Sequence, residues 1–116
     1  MPAAVIFGIP NCDTVKKARG WLNKHKVDYK FHDFRHDGLT EKQIKTWLEK
    51  VELDVLLNKR SRTWRELRDS DKANVTATKA IKLMLKQPSL IKRPVLMKDK
   101  EVLVGFDLKQ YQSLFK

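Results

Sequence analysis

The sequence predicts an α/β protein in which a βαβ half and a ββα half are separated by a helical insertion. Three observations predict it. A continuous apolar run, Ala3 to Ile9, stops at Pro10 and is followed at once by apolar residues at helical spacing. Residues 40 to 87 carry their apolar residues at a helical rather than an alternating period. Near the C-terminus, Val95-Leu96-Met97-Lys98 and Glu101-Val102-Leu103-Val104 flank the two-residue turn Asp99-Lys100, a hairpin pattern without the usual glycine.

Taken in order, Ala3 to Ile9 reads as a strand buried on both faces, as parallel strands are. Val15, Ala18, Trp21 and Leu22 then define a helix of about three to four turns, with Lys16, Lys17, Lys24 and Lys26 on or near its other faces. Val27 to Phe31 reads as a second, shorter strand, and His32 to Gly38 as its end running into a turn. Thr40-Glu41-Lys42-Gln43 has the order of a capping box, followed by an apolar stripe of Ile44, Trp47, Leu48 and Val51. Leu53 to Leu57 and Trp64 to Leu67 are short helical or irregular pieces. Ala77, Ala80, Ile81, Met84 and Leu85 form the stripe of a longer helix, which Gln87-Pro88 ends because proline disfavours the helical region for the residue before it. Asp107 caps a last helix, with Gln110 at the box position and Leu108, Tyr111, Leu114 and Phe115 on its inner face. This order is the thioredoxin-like arrangement, βαβ then ββα. It gives one domain of 116 residues, with a sheet-bearing lobe at residues 1–38 plus 88–116 and a helical insertion at about 39–87. No internal repeat is present.

Composition narrows the function. Lys and Arg number 25 against 14 Asp and Glu, a formal charge of +11, which points toward polyanions such as nucleic acid. The basic residues are nevertheless spread over almost every segment. The densest stretch, Lys59 to Arg65 with Trp64 inside it, reads either as a nucleic-acid patch or as a solvated helix face, and charge runs more often face water. No apolar run approaches the roughly 20 residues that span a bilayer, and MPAAVIFGIP lacks the basic start of a signal peptide. The expected setting is cytoplasmic and reducing. His25, His32 and His36 are scattered, so no metal site is expected, and His32 and His36 receive no catalytic role. Trp21, Trp47 and Trp64 read as packing residues.

The single cysteine, Cys12, lies between the first strand and the first helix. Unpaired amides and the positive end of the helix dipole favour a thiolate there. Asp13 opposes this, while Lys16 or an arginine brought from elsewhere would assist it. Asn11 and Thr14 flank the cysteine and are candidates to cap the helix or to hydrogen-bond the thiolate. The other reading of Cys12 is a small buried hydrophobe. Ile9 and Val15 stand three residues to either side, so there is no CxxC, and any redox cycle needs an external thiol such as glutathione.

Cys12 between strand and helix, the helical middle, LLNKRSRTW at 56–64 and PSLIKRPVL at 88–96 resemble the arsenate reductase-like (ArsC/Spx) group of thioredoxin-fold proteins. FGIPNCDTVKKAR at 7–19, FHDFRHDGL at 31–39 and VGFD at 104–107 resemble its YffB branch more closely. The resemblance covers essentially the whole chain. It implies that Cys12 is the nucleophile and that Arg93 and Pro94 are the Arg-Pro pair before the third strand, with a cis proline facing the cysteine. It matches Arg60, in Lys59-Arg60-Ser61, to the arginine of a TRS-like motif, and implies that Arg93 and Arg60 stabilise the thiolate and bind a carboxylate of glutathione. Two positions depart from the arsenate reductases. Asn58 and Phe106 stand where those enzymes carry arginines that hold the arsenate oxyanion, which disfavours arsenate. The implied function is that of a glutathione-dependent thiol reductase acting on a disulfide or other oxidised substrate, with glutathione as co-substrate and no tightly bound cofactor. The alternative is a non-catalytic Spx-like protein that binds the transcription machinery, RNA polymerase or nucleic acid, although redox-sensing Spx proteins usually carry the CxxC missing here.

Overall fold

Strand β1 (Ala4–Gly8) is paired on both sides, parallel to β2 (Tyr29–Asp33) and antiparallel to β3 (Val95–Lys98). β3 pairs antiparallel with β4 (Glu101–Val104), so the sheet order is β2-β1-β3-β4. These elements come from a computed structural model that describes residues 4–115. In chain order the helices are α1 (Asp13–Lys24), α2 (Glu41–Leu48), α3 (Leu53–Leu56), α4 (Arg62–Arg65), α5 (Asp69–Lys72), α6 (Ala77–Lys86) and α7 (Leu108–Leu114), with a 3-10 turn at Pro88–Leu90. The order is βαβ, a helical block, then ββα, as the thioredoxin-like reading requires. The chain divides into two compact units, Met1–Gly38 with Arg93–Lys116, and Leu39–Lys92.

In the first unit the alternation of the strands decides what is buried. The register Ile6↔Phe31, Ile6↔Leu96 and Leu96↔Leu103 puts these four side chains on one face of the sheet. Ala18 and Leu22 of α1 and Tyr111 of α7 join Ala4, Ile6 and Leu96 in a core flanked by Trp21, Val27, Phe106 and Phe115. Each fully buried side chain of Leu or Ile size contributes about 1.5–3 kcal/mol. The Tyr111 ring stands edge-on to Phe106 (4.7 Å, 81°) and to Trp21 (5.6 Å, 89°). Its hydroxyl has no hydrogen-bond partner among the described residues, and burial pushes the phenol well above the ordinary tyrosine pKa.

β2 begins at Tyr29, two residues later than the apolar pattern predicts. The reason is the way α1 ends. Lys26 adopts φ +56, the Lys26 N–H donates to Asn23 O (3.1 Å) and the Val27 N–H donates to Leu22 O (3.0 Å). This is a Schellman closure, and it uses residues 25–27 to finish the helix. Leu108 is also a correction: it is 50% exposed rather than part of the inner face. As the first residue of α7 its side chain leans toward the open N-terminal end of the helix, so the buried face begins at Tyr111.

In the second unit the Thr40 capping box closes as its sequence predicts. The Gln43 N–H donates to Thr40 Oγ1 (3.1 Å) and the Thr40 N–H donates to Gln43 Oε1 (2.9 Å). Ile44 and Trp47 of α2, and Ala80, Ile81 and Met84 of α6, are buried. The polar helix α5 carries no apolar stripe and was not predicted. Residues 88–92 belong to this unit rather than to the sheet-bearing lobe. Although Pro88 ends α6, the chain continues into a backbone bridge, Leu57↔Ile91, in which the Asn58 N–H donates to Leu90 O (2.7 Å) and the Lys92 N–H donates to Leu56 O (2.8 Å). Leu90 and Ile91 are fully buried there.

The left-handed conformation at Lys26 favours glycine. Lys26→Gly is expected to raise stability by about 0.5–1 kcal/mol, read from the urea midpoint. An unchanged or lower midpoint would contradict the closure described here.

Candidate functional site

Cys12 is itself the N-cap residue of α1. It is extended (φ −141°, ψ 125°), and its carbonyl accepts the first helical hydrogen bond from the Lys16 N–H (2.9 Å). Its side chain is half-buried and makes no capping hydrogen bond. The expectation that Asn11 or Thr14 caps the helix is therefore corrected: Cys12 occupies the cap position, and both neighbours are exposed. The first-turn amides of α1 are left without a side-chain acceptor at the cysteine.

The strand register brings a second group to the same end of the sheet. Phe7 of β1 pairs with Val95 of antiparallel β3, so β1 leaves the sheet toward Cys12 at the end where β3 enters from Arg93-Pro94. The Arg93-Pro94 peptide is cis, Pro94 is buried and Arg93 is half-buried. Pro94 O accepts the Gly105 N–H (2.8 Å), and Gly105 has φ +78, a conformation for which glycine is suited. Phe106 follows and packs on Tyr111, so it is part of the aromatic core.

Arg60 belongs to the helical unit. There Asp54, Leu57, Asn58, Lys59, Arg60 and Lys92 line an open cleft of about 590 Å³. The Asn58 side chain braces its own loop, its Oδ1 accepting the Arg60 N–H (3.1 Å). Ser61 Oγ donates to Asn58 O (2.8 Å) and accepts the Trp64 N–H (3.1 Å), which caps α4. Lys59 Nζ lies 3.3 Å from Asp54 Oδ1 and 5.7 Å from the centre of the Trp64 ring. The cleft thus presents three cations and one carboxylate, the latter paired.

One brace near Cys12 carries no chemical motif and was missed from the sequence. The turn after β2 is tied to the end of β1, because the Phe34 N–H donates to Gly8 O (2.9 Å). Within it the Asp33 N–H donates to Asp37 Oδ2 (3.0 Å), the Arg35 N–H donates to Asp33 Oδ1 (2.9 Å), and His32 Nε2 donates to Gly38 O (2.7 Å). His36 Nδ1 lies 3.1 Å from Asp37 Oδ1. Its hydrogen bond to Asp37, and then the Asp37 charge, raise the His36 pKa above the ordinary 6.5. The Asp33 N–H, and then His36, lower Asp37 below the ordinary 3.8. The histidine contribution to stability is therefore present below pH 6.5 and lost as pH rises through the raised value. The aspartate contribution is present above 3.8 and lost as pH falls through the lowered value. The pair is exposed and screened, so its effect on stability is small. Among the described residues no group of three or more His, Cys, Asp or Glu is arranged to hold a metal ion, and no helix is long and apolar enough to cross a membrane.

An NMR titration of the histidine ring protons is expected to place His36 above 6.5 in the wild type and nearer 6.5 in Asp37→Ala, which removes both the hydrogen-bond acceptor and the charge. A His36 midpoint that does not move between the two proteins would contradict the assigned cause.

Comparison with known proteins adds the family context. A family model described as the ArsC family matches residues 7–114. A solved structure of a protein named YffB is 44% identical, covers 95% of this chain and 96% of its own, and superposes with a TM-score of 0.92. The solution structure of an arsenate reductase (ArsC) related protein from Brucella melitensis is 46% identical over 98% of this chain and 95% of its own, with a TM-score of 0.76. The global transcriptional regulator Spx from Streptococcus pyogenes is 32% identical over 104 residues, 88% of this chain and 77% of Spx.

Proposed function

Because the chain belongs to the ArsC family, we propose that it is a glutathione-dependent thiol reductase whose nucleophile is Cys12. The observation that carries this reading is the position of Cys12 as N-cap of α1, at the end of the sheet where Arg93-Pro94 enters β3. The proposed cycle has three exchanges. The Cys12 thiolate attacks one sulfur of a substrate disulfide, forming a mixed disulfide, and the other substrate sulfur leaves as a thiolate that takes a proton from water. A glutathione thiolate then attacks the substrate sulfur of the mixed disulfide, which returns Cys12 as a thiolate and leaves a glutathione–substrate disulfide. A second glutathione thiolate attacks the glutathione sulfur of that disulfide, releasing the substrate thiolate and forming oxidised glutathione, so the two glutathiones supply both electrons. Arg93, in the same compact unit as Cys12, binds a carboxylate of glutathione, for which a guanidinium fork is suited. A reducing cytoplasm, which keeps Cys12 as a thiol, belongs to the same proposal.

Asn58 and Phe106 support a disulfide substrate over arsenate. Asn58 is engaged with its own loop and Phe106 with Tyr111, and neither carries the positive charge an oxyanion requires. A second reading, a non-catalytic protein docking on the transcription machinery, is favoured by the similarity to Spx and by the net charge of +11. The lone cysteine weighs against a redox-sensing role of the CxxC kind.

Incubation with oxidised glutathione followed by mass spectrometry is expected to show one glutathione on Cys12. Arg93→Ala is expected to slow the adduct about tenfold or more, as loss of a charge-assisted hydrogen bond of about 1.5–3 kcal/mol would. Absence of any adduct, together with binding to RNA polymerase that Cys12→Ser leaves unchanged, would favour the second reading.

A further inference from the structure

We propose that Gly8 is a positioning residue for Cys12, through a backbone-to-side-chain contact with Val15 that a larger residue at position 8 would break. The proposal rests on reading Cys12 as the nucleophile. Glycine is usually kept for its freedom at positive φ, but among the described glycines positive φ is found at Gly38 and Gly105, not at Gly8. What distinguishes Gly8 is space. A Cβ built on it would lie 2.9 Å from Val15 Cγ2, 3.7 Å from Cγ1 and 3.9 Å from Cβ. Val15 is fully buried, and its branched side chain has one strongly preferred rotamer in a helix, so it cannot turn aside cheaply.

Both partners of this contact are held. Gly8 is the last residue of β1, pairs with Asp33, and its carbonyl accepts the Phe34 N–H (2.9 Å). Val15 is the third residue of α1. The residues between them, Ile9-Pro10-Asn11-Cys12-Asp13-Thr14, form a short arch closed at its base by the contact, with Pro10 further limiting its backbone. The seat of the first turn of α1 on β1 therefore sets the height of the Cys12 sulfur over the end of the sheet. A methyl group at Gly8 would push that turn outward by several tenths of an ångström, and misplacements of about 1 Å can cost on the order of a hundredfold in rate.

The test is a double-mutant cycle on the rate at which oxidised glutathione modifies Cys12, measured per folded molecule. Gly8→Ala is expected to slow the reaction about tenfold. Val15→Ala removes the opposing methyl groups, so Gly8→Ala/Val15→Ala is expected to recover the rate of Val15→Ala alone, although both are less stable than the wild type. A Gly8→Ala rate equal to wild type, or a double variant as slow as Gly8→Ala, would overturn the proposal. Should Gly8→Ala fail to fold, the double variant against Val15→Ala decides: equal rates support it and a slower double variant overturns it. Should the wild type form no adduct, the nucleophile reading fails separately, and the Cys12 amide and Cβ chemical shifts take over. Shifts that move in Gly8→Ala and return in the double variant support positioning, and unmoved shifts overturn it.

Discussion

The antiparallel register between β1 and β3, with Phe7 opposite Val95, is the constraint on which the candidate site depends. It brings two distant pieces of sequence, the arch that carries Cys12 and the cis Arg93-Pro94 step, to one end of adjacent strands. Slipping this register by one residue would turn Ile6 and Leu96 away from α1 and α7 and destroy the core they share with Ala18, Leu22 and Tyr111. The burial that stabilises the sheet is thus the same interaction that aligns the site. Parallel pairing with β2 adds the second support, since the turn after β2 is bonded to the carbonyl of Gly8.

Most of the fold was legible wherever the signal is local. The Thr40–Gln43 box, the Asp99-Lys100 hairpin and the α6 stripe each state their structure within about ten residues, and the structure contains all three. Features set by the backbone or by distant pairing were not legible. Lysine is not a residue that advertises a left-handed helix end, so nothing in the pattern marks Lys26 or delays β2 to Tyr29. The Leu57↔Ile91 bridge joins positions more than thirty residues apart, and it draws residues 88–92 into the helical unit despite Pro88.

The site was legible to a similar depth. Cys12, Arg93 and Pro94 stand out because a cysteine at a strand-to-helix junction and an Arg-Pro step before a strand are visible as sequence. That Cys12 takes the cap position in place of Asn11 was not visible, because cap preferences rank asparagine far ahead of cysteine. The space over Gly8 was hidden for another reason: a glycine in sequence does not say whether conformation or a neighbour requires it, and only the distance to Val15 answers that. Asn58 and Phe106 are intermediate cases. That neither is a cation is plain in the sequence, whereas the loop brace and the ring contact that occupy them are not.

The central proposal is that Cys12 reacts as a nucleophile and is not an inert thiol. The most direct measurement is the second-order rate of iodoacetamide alkylation of Cys12 at neutral pH, in the native protein and in protein unfolded by concentrated urea. The account predicts a faster reaction in the native protein, because Cys12 stands half-exposed at the start of α1, whose first-turn amides have no side-chain acceptor. A native rate below that of the unfolded chain would show a protected thiol and contradict it.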